Sequence, residues 1–429
     1  MADAGSDMAD EGATGPPGPS GCPVTDWSTD FDHTDPQYAA RAPEIWDELR
    51  SSCPVARSER FGGVWLPTRH ADVASIAHDT DHFSSRGVIV SVFEPGPGPV
   101  GYAPPITSDP PFHETARRLL LPAFSPKAIR PLEPTTTALC RELLDDLVER
   151  AGEGGVADAA IEYAQEIPVR VIAHMLGVPA SDGDRFRTFI HRIMETGGQN
   201  DAVDPADTLS AYLLDIIEQH RGSVTPRGDL IDFLLDARID GEALDEDHIV
   251  GTVALLLIAG IDTTWSAIGA ALWHLAHHPE HRARLLAEPD LLLMAIEEFL
   301  RAYAPVTMAR KVAREIELGG RTLEPGDWVL LPFPAANRDP RAFDAADEVI
   351  LDRAKNRHAA FGLGIHRCLG SNLARMELTV AVREWLLRVP DFELADPSAV
   401  RWSAGQVRGP RTLPVRLRTI TGPSSEEAA

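Results

Sequence analysis

Apolar residues recur at helical spacing along much of the chain, and this pattern predicts a protein rich in α-helices. Shorter apolar runs bounded by Gly and Pro predict a few β-strands, which makes the expected fold mixed. The segments with helical spacing are 42–49, 70–78, 139–148, 161–176, 211–220, 245–278 and 371–387. The predicted strands lie in 61–67, 311–318 and 327–332.

The longest helical pattern, from Asp245 to His278, has an apolar middle and few polar positions on any side. A helix of this kind crosses the core of a protein. Its middle also holds Gly260, Asp262 and Thr263, and both a glycine and a buried acid are unfavourable inside a helix. Residues that are unfavourable in their local structure are typical of functional sites. A kink that serves packing is the alternative interpretation.

The chain has 429 residues, 44% hydrophobic residues and a net charge of −25 at pH 7. This acidity disfavours binding to nucleic acid or to an anionic membrane. The longest apolar run, Val253 to Ile261, is too short to span a bilayer, so we expect no membrane anchor. Four cysteines, at positions 22, 53, 140 and 368, show neither disulfide nor zinc spacing, which fits a cytoplasmic location.

The two ends of the chain differ in composition from the rest. Residues 1–24 are rich in Gly, Pro, Ala and acids, and hold too little apolar surface to offset the entropy of ordering. We therefore predict a disordered tail there and a second short acidic tail over 419–429. The folded part is expected to span residues 25–418.

Cys368 lies in a glycine-rich loop directly before a predicted helix. Gly362 and Gly364 permit backbone conformations that other residues avoid, and Gly370 lets a flat ligand approach the main chain closely. The helix N-terminus is expected to lower the pKa of the thiol and to favour a metal-bound thiolate. The stretch from Arg353 to Arg375 adds basic residues and no acid. A buried structural cysteine is the alternative for such a residue without further context.

Two pairs of polar residues have helical spacing. Asp109 is an expected helix N-cap and is followed by two prolines. His113 and Arg117 come next on one helix face, where they form a candidate anion site or a solvated face. Glu298 and Arg301 lie within salt-bridge reach, which on its own says almost nothing about function.

His274 and His278 have the spacing of a zinc-binding pair at the end of the long helix. No third ligand follows in a suitable pattern, and Pro279 breaks the helical periodicity. We therefore expect a solvated helix terminus here and no metal.

Four motifs appear together in a fixed order: DPPFHETARR, AGIDTT, EFLR and FGLGIHRCLG. In this combination the chain resembles the cytochrome P-450 family from about residue 36 to residue 418. The resemblance implies a single, mainly α-helical domain with small β-sheets, enclosing haem b (iron protoporphyrin IX). It also implies that Cys368 is the axial iron ligand and that its electron density promotes O–O cleavage.

The resemblance assigns further roles residue by residue. Asp262 and Thr263 would deliver protons, Glu298 and Arg301 would form a structural network with Arg338 or Arg353, and Arg118 would face outward. The residues implied in haem binding are His113, Arg117, Ala259, Gly260, Arg310, Phe361, Gly362, His366, Cys368 and Gly370.

A hydrophobic substrate is indicated by an unusually apolar irregular segment over 83–108 and by apolar positions near the implied iron site. A packed surface loop is the alternative for the segment. The residues implied in substrate contact are Val88, Val90, Phe93, Leu255, Ala259, Val306, Met308 and Val407.

The implied function is insertion of one oxygen atom from O₂ into a hydrophobic small molecule by a monomeric enzyme. Electrons would come from a separate ferredoxin-type donor that docks on the basic run from Arg353 to Arg375. A peroxide-driven peroxygenase and a non-catalytic haem-thiolate gas sensor are the alternatives, and a haem-free helical scaffold would require the motifs to be coincidental.

Overall fold

The computed structural model describes residues 24–90, 101–194 and 207–419. Almost all of both predicted tails therefore lies outside the described residues, as does Phe93. The helices are α1 Pro36–Ser52, α2 His70–His78, α3 Phe112–Leu120, α4 Pro126–Ile129, α5 Glu133–Ala151, α6 Glu166–Leu176, α7 Gly183–Met194, α8 Leu209–Arg221, α9 Leu230–Asp236, α10 Glu246–His277, α11 Pro279–Ala287, α12 Leu292–Ala302, α13 Phe333–Ala336 and α14 Ser371–Arg388.

The strands are short and form small sheets. They are β1 Val55–Ser58, β2 Val64–Pro67, β3 Phe83–Ser84, β4 Val156–Asp158, β5 Arg238–Ile239, β6 Glu242–Ala243, β7 Thr307–Val312, β8 Ile316–Leu318, β9 Arg321–Leu323, β10 Trp328–Pro332, β11 Asp391–Leu394, β12 Arg401–Trp402, β13 Pro410–Thr412 and β14 Pro414–Thr419. The largest sheet has the order β1-β2-β10-β7-β3, in which only the β2 and β10 pair is parallel. A second sheet has the order β11-β14-β4.

Helix α10 organises the helical part of the molecule. Asp245 caps its N-terminus by accepting a hydrogen bond from the backbone N–H of His248, as acids favour at that position. The helix packs against α6, α8 and α14 within the largest hydrophobic cluster. Among the described helices it is the one long and apolar enough to cross a bilayer, but 67% of its most apolar window is buried in the protein. It is therefore a core helix, as its all-round apolar pattern predicted.

Some predicted boundaries are wrong where pairing depends on distant residues. The single strand expected over 311–318 is two strands, β7 and β8, which pair with β10 and β9 respectively. Asp109, which the pattern placed at a helix N-terminus, instead accepts hydrogen bonds from the Ser84 hydroxyl at 2.5 Å and the Ser85 N–H at 2.7 Å. Its carboxylate thus joins the start of α3 to the edge strand β3.

Candidate active site

The loop that carries Cys368 is held in one conformation by its own backbone. The N–H of Cys368 donates to the carbonyl oxygen of Phe361 at 2.7 Å. Gly362 and Gly364 have φ values of 70° and 68°, which favour glycine. A Cβ on Gly364 would lie 2.0 Å from the carbonyl oxygen of Ala77, so a side chain at 364 would push the loop away from α2.

Cys368 lies three residues before Ser371, the first residue of α14, as the sequence predicted, but the expected direction of its pKa shift is wrong. Burial raises the pKa of the thiol, and this effect outweighs the N–H of Gly370 and the charges of Arg117, Arg367 and Arg375, which lower it. The protein part of the site therefore favours the neutral thiol, and a bound cation is needed to favour the thiolate.

Four cationic or potentially cationic side chains converge on one side of this loop: His113, Arg117, Arg310 and His366. The rings of His113 and His366 lie with centroids 4.3 Å apart, and Arg117 donates to the carbonyl oxygen of Arg367. Arg310 is 5% exposed and donates to the carbonyl oxygen of its neighbour Ala309 at 2.7 Å. We call these four residues the cationic cluster.

Among the residues that the structure describes, no carboxylate forms an ion pair with the cationic cluster, and Asp109 acts on His113 and Arg310 only from a longer distance. Both ring nitrogens of His113 and Nε2 of His366 are buried and have no hydrogen-bond partner. Burial lowers the pKa of Arg310 to about 10, and burial together with Arg310 and His113 lowers the pKa of His366 to about 2. Buried donors of this kind need acceptors, and carboxylates of a bound ligand would meet that need.

The middle of α10 presents a line of accessible residues in a helix that is otherwise buried. Ala259 is exposed and Leu255 and Thr263 are half-buried, at successive four-residue intervals on one face. The hydroxyl of Thr263 donates to the carbonyl oxygen of Ala259 at 2.8 Å, which is the contact by which threonine loosens a helix. Gly260 faces Ile172 of α6, whose side chain would lie 3.2 Å from an added Cβ.

Asp262, the residue before Thr263, is buried and has a partner that the sequence did not predict. Its Oδ1 lies 2.8 Å from a guanidinium nitrogen of Arg411 in β13. The same guanidinium donates to the hydroxyl of Ser266 at 3.0 Å and lies over the ring of Trp265, 4.3 Å from its centroid. Arg411 is far from Asp262 along the chain, and no local pattern connects them.

The residues expected to contact substrate fall into three groups. Val306 forms an isolated bridge with Val407, and Gln406 reaches both the carbonyl oxygen of Val88 at 3.1 Å and the sulfur of Met308. These residues therefore lie together where β7 meets the C-terminal segment, and Leu255 and Ala259 lie on the accessible face of α10. Val90 instead packs within the N-terminal hydrophobic cluster.

Glu298 and Arg301 form the centre of a fully buried ionic network. Two guanidinium nitrogens of Arg301 donate to the two oxygens of Glu298 at 2.9 Å, and both side chains are 0% exposed. Arg353 donates to the same carboxylate at 3.0 Å and 3.1 Å. The backbone N–H of Ile350 also donates to this carboxylate, at 2.8 Å. Of the two partners left open by the sequence, the structure therefore selects Arg353 over Arg338.

Comparison with known proteins decides the family. Residues 184–399 match the family model for cytochrome P450. The mycinamicin IV hydroxylase/epoxidase of Micromonospora griseorubida is 35% identical over 381 residues, which cover 86% of this chain and 94% of that protein. The chain belongs to the cytochrome P450 family.

Further P450 proteins agree over similar lengths. The nocardicin C N-oxygenase of Nocardia uniformis is 35% identical, with 86% of this chain and 93% of that protein covered. The crystal structure of CYP109E1 from Bacillus megaterium in complex with testosterone superposes with a TM-score of 0.79 at 29% identity, covering 90% of this chain and all of that one. The predicted resemblance and the P450 fold are therefore confirmed.

P450 proteins are monooxygenases that bind haem b through a cysteine thiolate and use O₂, a small-molecule substrate and a redox partner. The residues of this chain fit such a group. The cationic cluster offers unpartnered donors for its carboxylates, the Cys368 loop offers a buried sulfur, and an added Cβ on Gly370 would point to within 4.0 Å of that sulfur.

Proposed function

We propose that this P450 inserts one oxygen atom from O₂ into a hydrophobic small molecule, and that the thiolate of Cys368 would hold the haem iron. The observation that carries the assignment is the cationic cluster, which borders the Cys368 loop and has buried donors without acceptors. His113, Arg117, Arg310 and His366 would hold the carboxylates of the haem.

When bound, the haem supplies O₂ binding and O–O bond cleavage, and the chain supplies protons and exclusion of water. Thr263 lies on the accessible face of α10 with its hydroxyl donating to the carbonyl oxygen of Ala259, so its oxygen can accept a hydrogen bond in the pocket, and the hydroxyl must turn away from Ala259 to donate a proton there. Asp262 lies one residue away and is buried against Arg411. For Asp262 to pass a proton toward Thr263, its carboxylate must leave Arg411, so we assign Arg411 the role of positioning that acid.

The substrate is proposed to be apolar because the accessible side chains near the site are apolar. Leu255, Ala259, Val306 and Met308 provide this surface. The names of the relatives describe hydroxylation, epoxidation and N-oxygenation, and one solved structure holds testosterone. These reactions all place an oxygen atom on a small molecule, which supports the proposed reaction and leaves the substrate class to experiment.

A ferredoxin-type protein is proposed as the electron donor. This P450 is proposed to be a cytoplasmic monomer that accepts those electrons. Lys355, Arg357 and Arg367 are exposed beside the Cys368 loop. Arg353 and Arg375, by contrast, are already paired with Glu298 and Glu297. The exposed three form a basic face on a chain of net charge −25, and this face would attract an acidic partner.

An optical titration of the purified ferric protein against a panel of apolar compounds tests this proposal. A saturable low-spin to high-spin shift identifies a ligand that displaces water from the iron, and that compound is then tested for O₂-dependent turnover. Thr263→Ala and Asp262→Asn should retain the shift and lose about tenfold or more of the coupled product. Turnover with peroxide alone that is unaffected by Thr263→Ala would support a peroxygenase instead.

A further inference from the structure

The corner between α10 and α11 brings three histidines together, one of them buried and two half-buried. His274 and His278 come from the end of α10, and Pro279 begins α11, whose first turn carries His281 back toward them. The ring centroids lie 4.3 Å apart for His274 and His278, 5.0 Å for His274 and His281, and 5.3 Å for His278 and His281. The proline that breaks the helix pattern therefore creates the third position that the sequence seemed to lack.

Two of the three rings are held through Nδ1. Nδ1 of His274 lies 2.7 Å from the hydroxyl oxygen of Tyr303, and Nδ1 of His278 lies 2.9 Å from a carboxylate oxygen of Glu280. Histidines that bind metals are typically oriented in this way by a hydroxyl, carbonyl or carboxylate on their other nitrogen. The Nε2 of each ring is not used by these contacts, and Nε2 of His274 forms a hydrogen bond with Nδ1 of His281, which a metal ion would replace.

The candidate ligand atoms are close to one another. One nitrogen from each of His274, His278 and His281 lies within 4.8 Å of the other two. Nε2 of His274 and Nδ1 of His281 are 2.8 Å apart. Two nitrogens bound to one tetrahedral Zn²⁺ ion at about 2.0–2.1 Å are about 3.3 Å apart. Binding would therefore require the nitrogens of His274 and His281 to separate by roughly 0.5 Å and the nitrogen of His278 to settle at a similar distance from both.

We propose that His274, His278 and His281 form a binding site for one Zn²⁺ ion, with water in the fourth position. An all-imidazole ligand set suits Zn²⁺ and disfavours Mg²⁺ and Ca²⁺, which prefer oxygen ligands. His274 is buried, whereas His278 and His281 are half-buried, so the ion would enter from solvent. The bound ion would join α10 to α11 and would be separate from the proposed oxygenation chemistry.

A second group of potential metal ligands differs from the proposed site, because its carboxylates already accept hydrogen bonds from the backbone. His220, Asp229 and Asp232 also lie close together. There, however, Asp229 accepts from the N–H of Asp232 as a helix cap, and Asp232 accepts from the N–H of Gly228 at 2.7 Å. These carboxylates already serve the backbone at the start of α9, so this second group carries no proposal.

Calorimetric titration of tag-free, haem-loaded protein with Zn²⁺ tests the site, with equilibrium dialysis and metal analysis for stoichiometry. The wild type should bind one ion per chain, and His281→Ala should weaken that binding by more than tenfold. His277→Ala is the matched control, because His277 is an exposed neighbour whose Nδ1 lies 3.0 Å from the carbonyl oxygen of Trp273, away from the cluster. This control should bind Zn²⁺ as the wild type does.

Tyr303→Phe sharpens the test because it removes only the hydroxyl beside His274. Loss of such an orienting partner typically weakens metal binding by about tenfold or more. Zn²⁺ should also raise the melting temperature of the wild type and of His277→Ala, but not that of His281→Ala. Absence of a one-to-one complex in the wild type, or equal affinity in His277→Ala and His281→Ala, would overturn the proposal, whatever the result for oxygenase activity.

Discussion

Two groups of buried ionisable side chains differ in how completely they are paired. Around Glu298, Arg301 and Arg353 every charge has an opposite charge and several backbone partners. In the cationic cluster, by contrast, His113 and Arg310 are buried and no described carboxylate is paired with them. The first group is a closed network and the second is open.

This difference in pairing assigns a structural role to the closed network and a ligand-binding role to the open cluster. Burying a charge is unfavourable unless a partner offsets the loss of hydration, so a closed network can stabilise the fold by itself. An open cluster destabilises the fold until a ligand supplies the missing charge. Mutations should therefore have opposite consequences in the two groups, and the following predictions are arranged from the largest expected effect to the smallest.

The largest effect is expected for Glu298→Gln. It would leave Arg301 and Arg353 buried without a counter-charge, and the free energy of unfolding should fall by about 3–5 kcal/mol. Chemical denaturation followed by circular dichroism measures this loss. The control is Glu288→Gln, which breaks an exposed pair with Arg284 and should cost less than about 1 kcal/mol. Equal effects of the two changes would contradict a structural role for the closed network.

Glu377 in α14 is a buried charge that belongs to neither group. Its Oε2 has no hydrogen-bond partner, and burial raises the pKa of the carboxyl from its ordinary 4.5 to about 8. Because the folded state then binds the proton more tightly, stability is fully present below pH 4.5 and is lost as the pH rises through about 8. The expected slope is about 1.4 kcal/mol per pH unit.

Glu377→Gln should remove this slope and raise the free energy of unfolding by about 3 kcal/mol at pH 7. The measurement is a series of denaturation curves between about pH 5 and pH 9, which covers the interval in which the folded and unfolded states differ in protonation. The exposed substitution Glu288→Gln should leave the slope as in the wild type. A slope that persists in Glu377→Gln would assign the pH dependence to another group.

Arg310→Met tests the open cluster. The methionine keeps the apolar stem and removes the buried charge, so the haem-free protein should be as stable as the wild type or more stable. Haem binding should weaken by about 1.5–3 kcal/mol, which is tenfold or more, because a charge-assisted hydrogen bond is lost. Haem transfer to apomyoglobin and denaturation of the haem-free protein measure the two effects. A less stable haem-free protein with unchanged haem affinity would make the cluster structural.

The smallest effect is expected from exposed charges, which water already solvates. Arg357→Glu combined with Arg367→Glu should slow reduction by a ferredoxin several-fold at low ionic strength and leave substrate affinity unchanged. Stopped-flow reduction measures the rate. Arg314→Glu combined with Arg321→Glu is a charge-matched control away from the Cys368 loop in sequence. If both double variants are reduced at the wild-type rate, the basic face is not the docking site.

Features set by neighbouring residues could be predicted from the sequence, and features set by distant ones could not. The bounds of α10 followed from its cap at Asp245 and its continuous apolar surface. The partner of Asp262 did not, because Arg411 comes from a strand that only the tertiary fold brings to α10. His281 was missed for the opposite reason: Pro279 marks the end of the helical pattern of α10, but α11 starts at the same residue and its first turn places His281 beside His274.

The same distinction holds within the candidate site. The local sequence was enough to predict the glycine-rich loop and the helix after Cys368. The direction of the pKa shift of the Cys368 thiol could not be predicted in this way, because it depends on how deeply the fold buries the sulfur. The roles of Glu298 and Arg301 needed the family resemblance, because the pair alone resembles many surface pairs. Their third partner, Arg353, needed the structure.

The absorption spectrum of the reduced, CO-bound protein tests the central claim most directly, with Cys368→His as the comparison. Thiolate ligation should give the wild type the red-shifted Soret band that distinguishes it from imidazole ligation. Cys368→His should bind haem through the same cationic cluster and lose that shift. A wild type without the shifted band, or a Cys368→His variant that keeps it, would show that Cys368 is not the ligand around which the site is built.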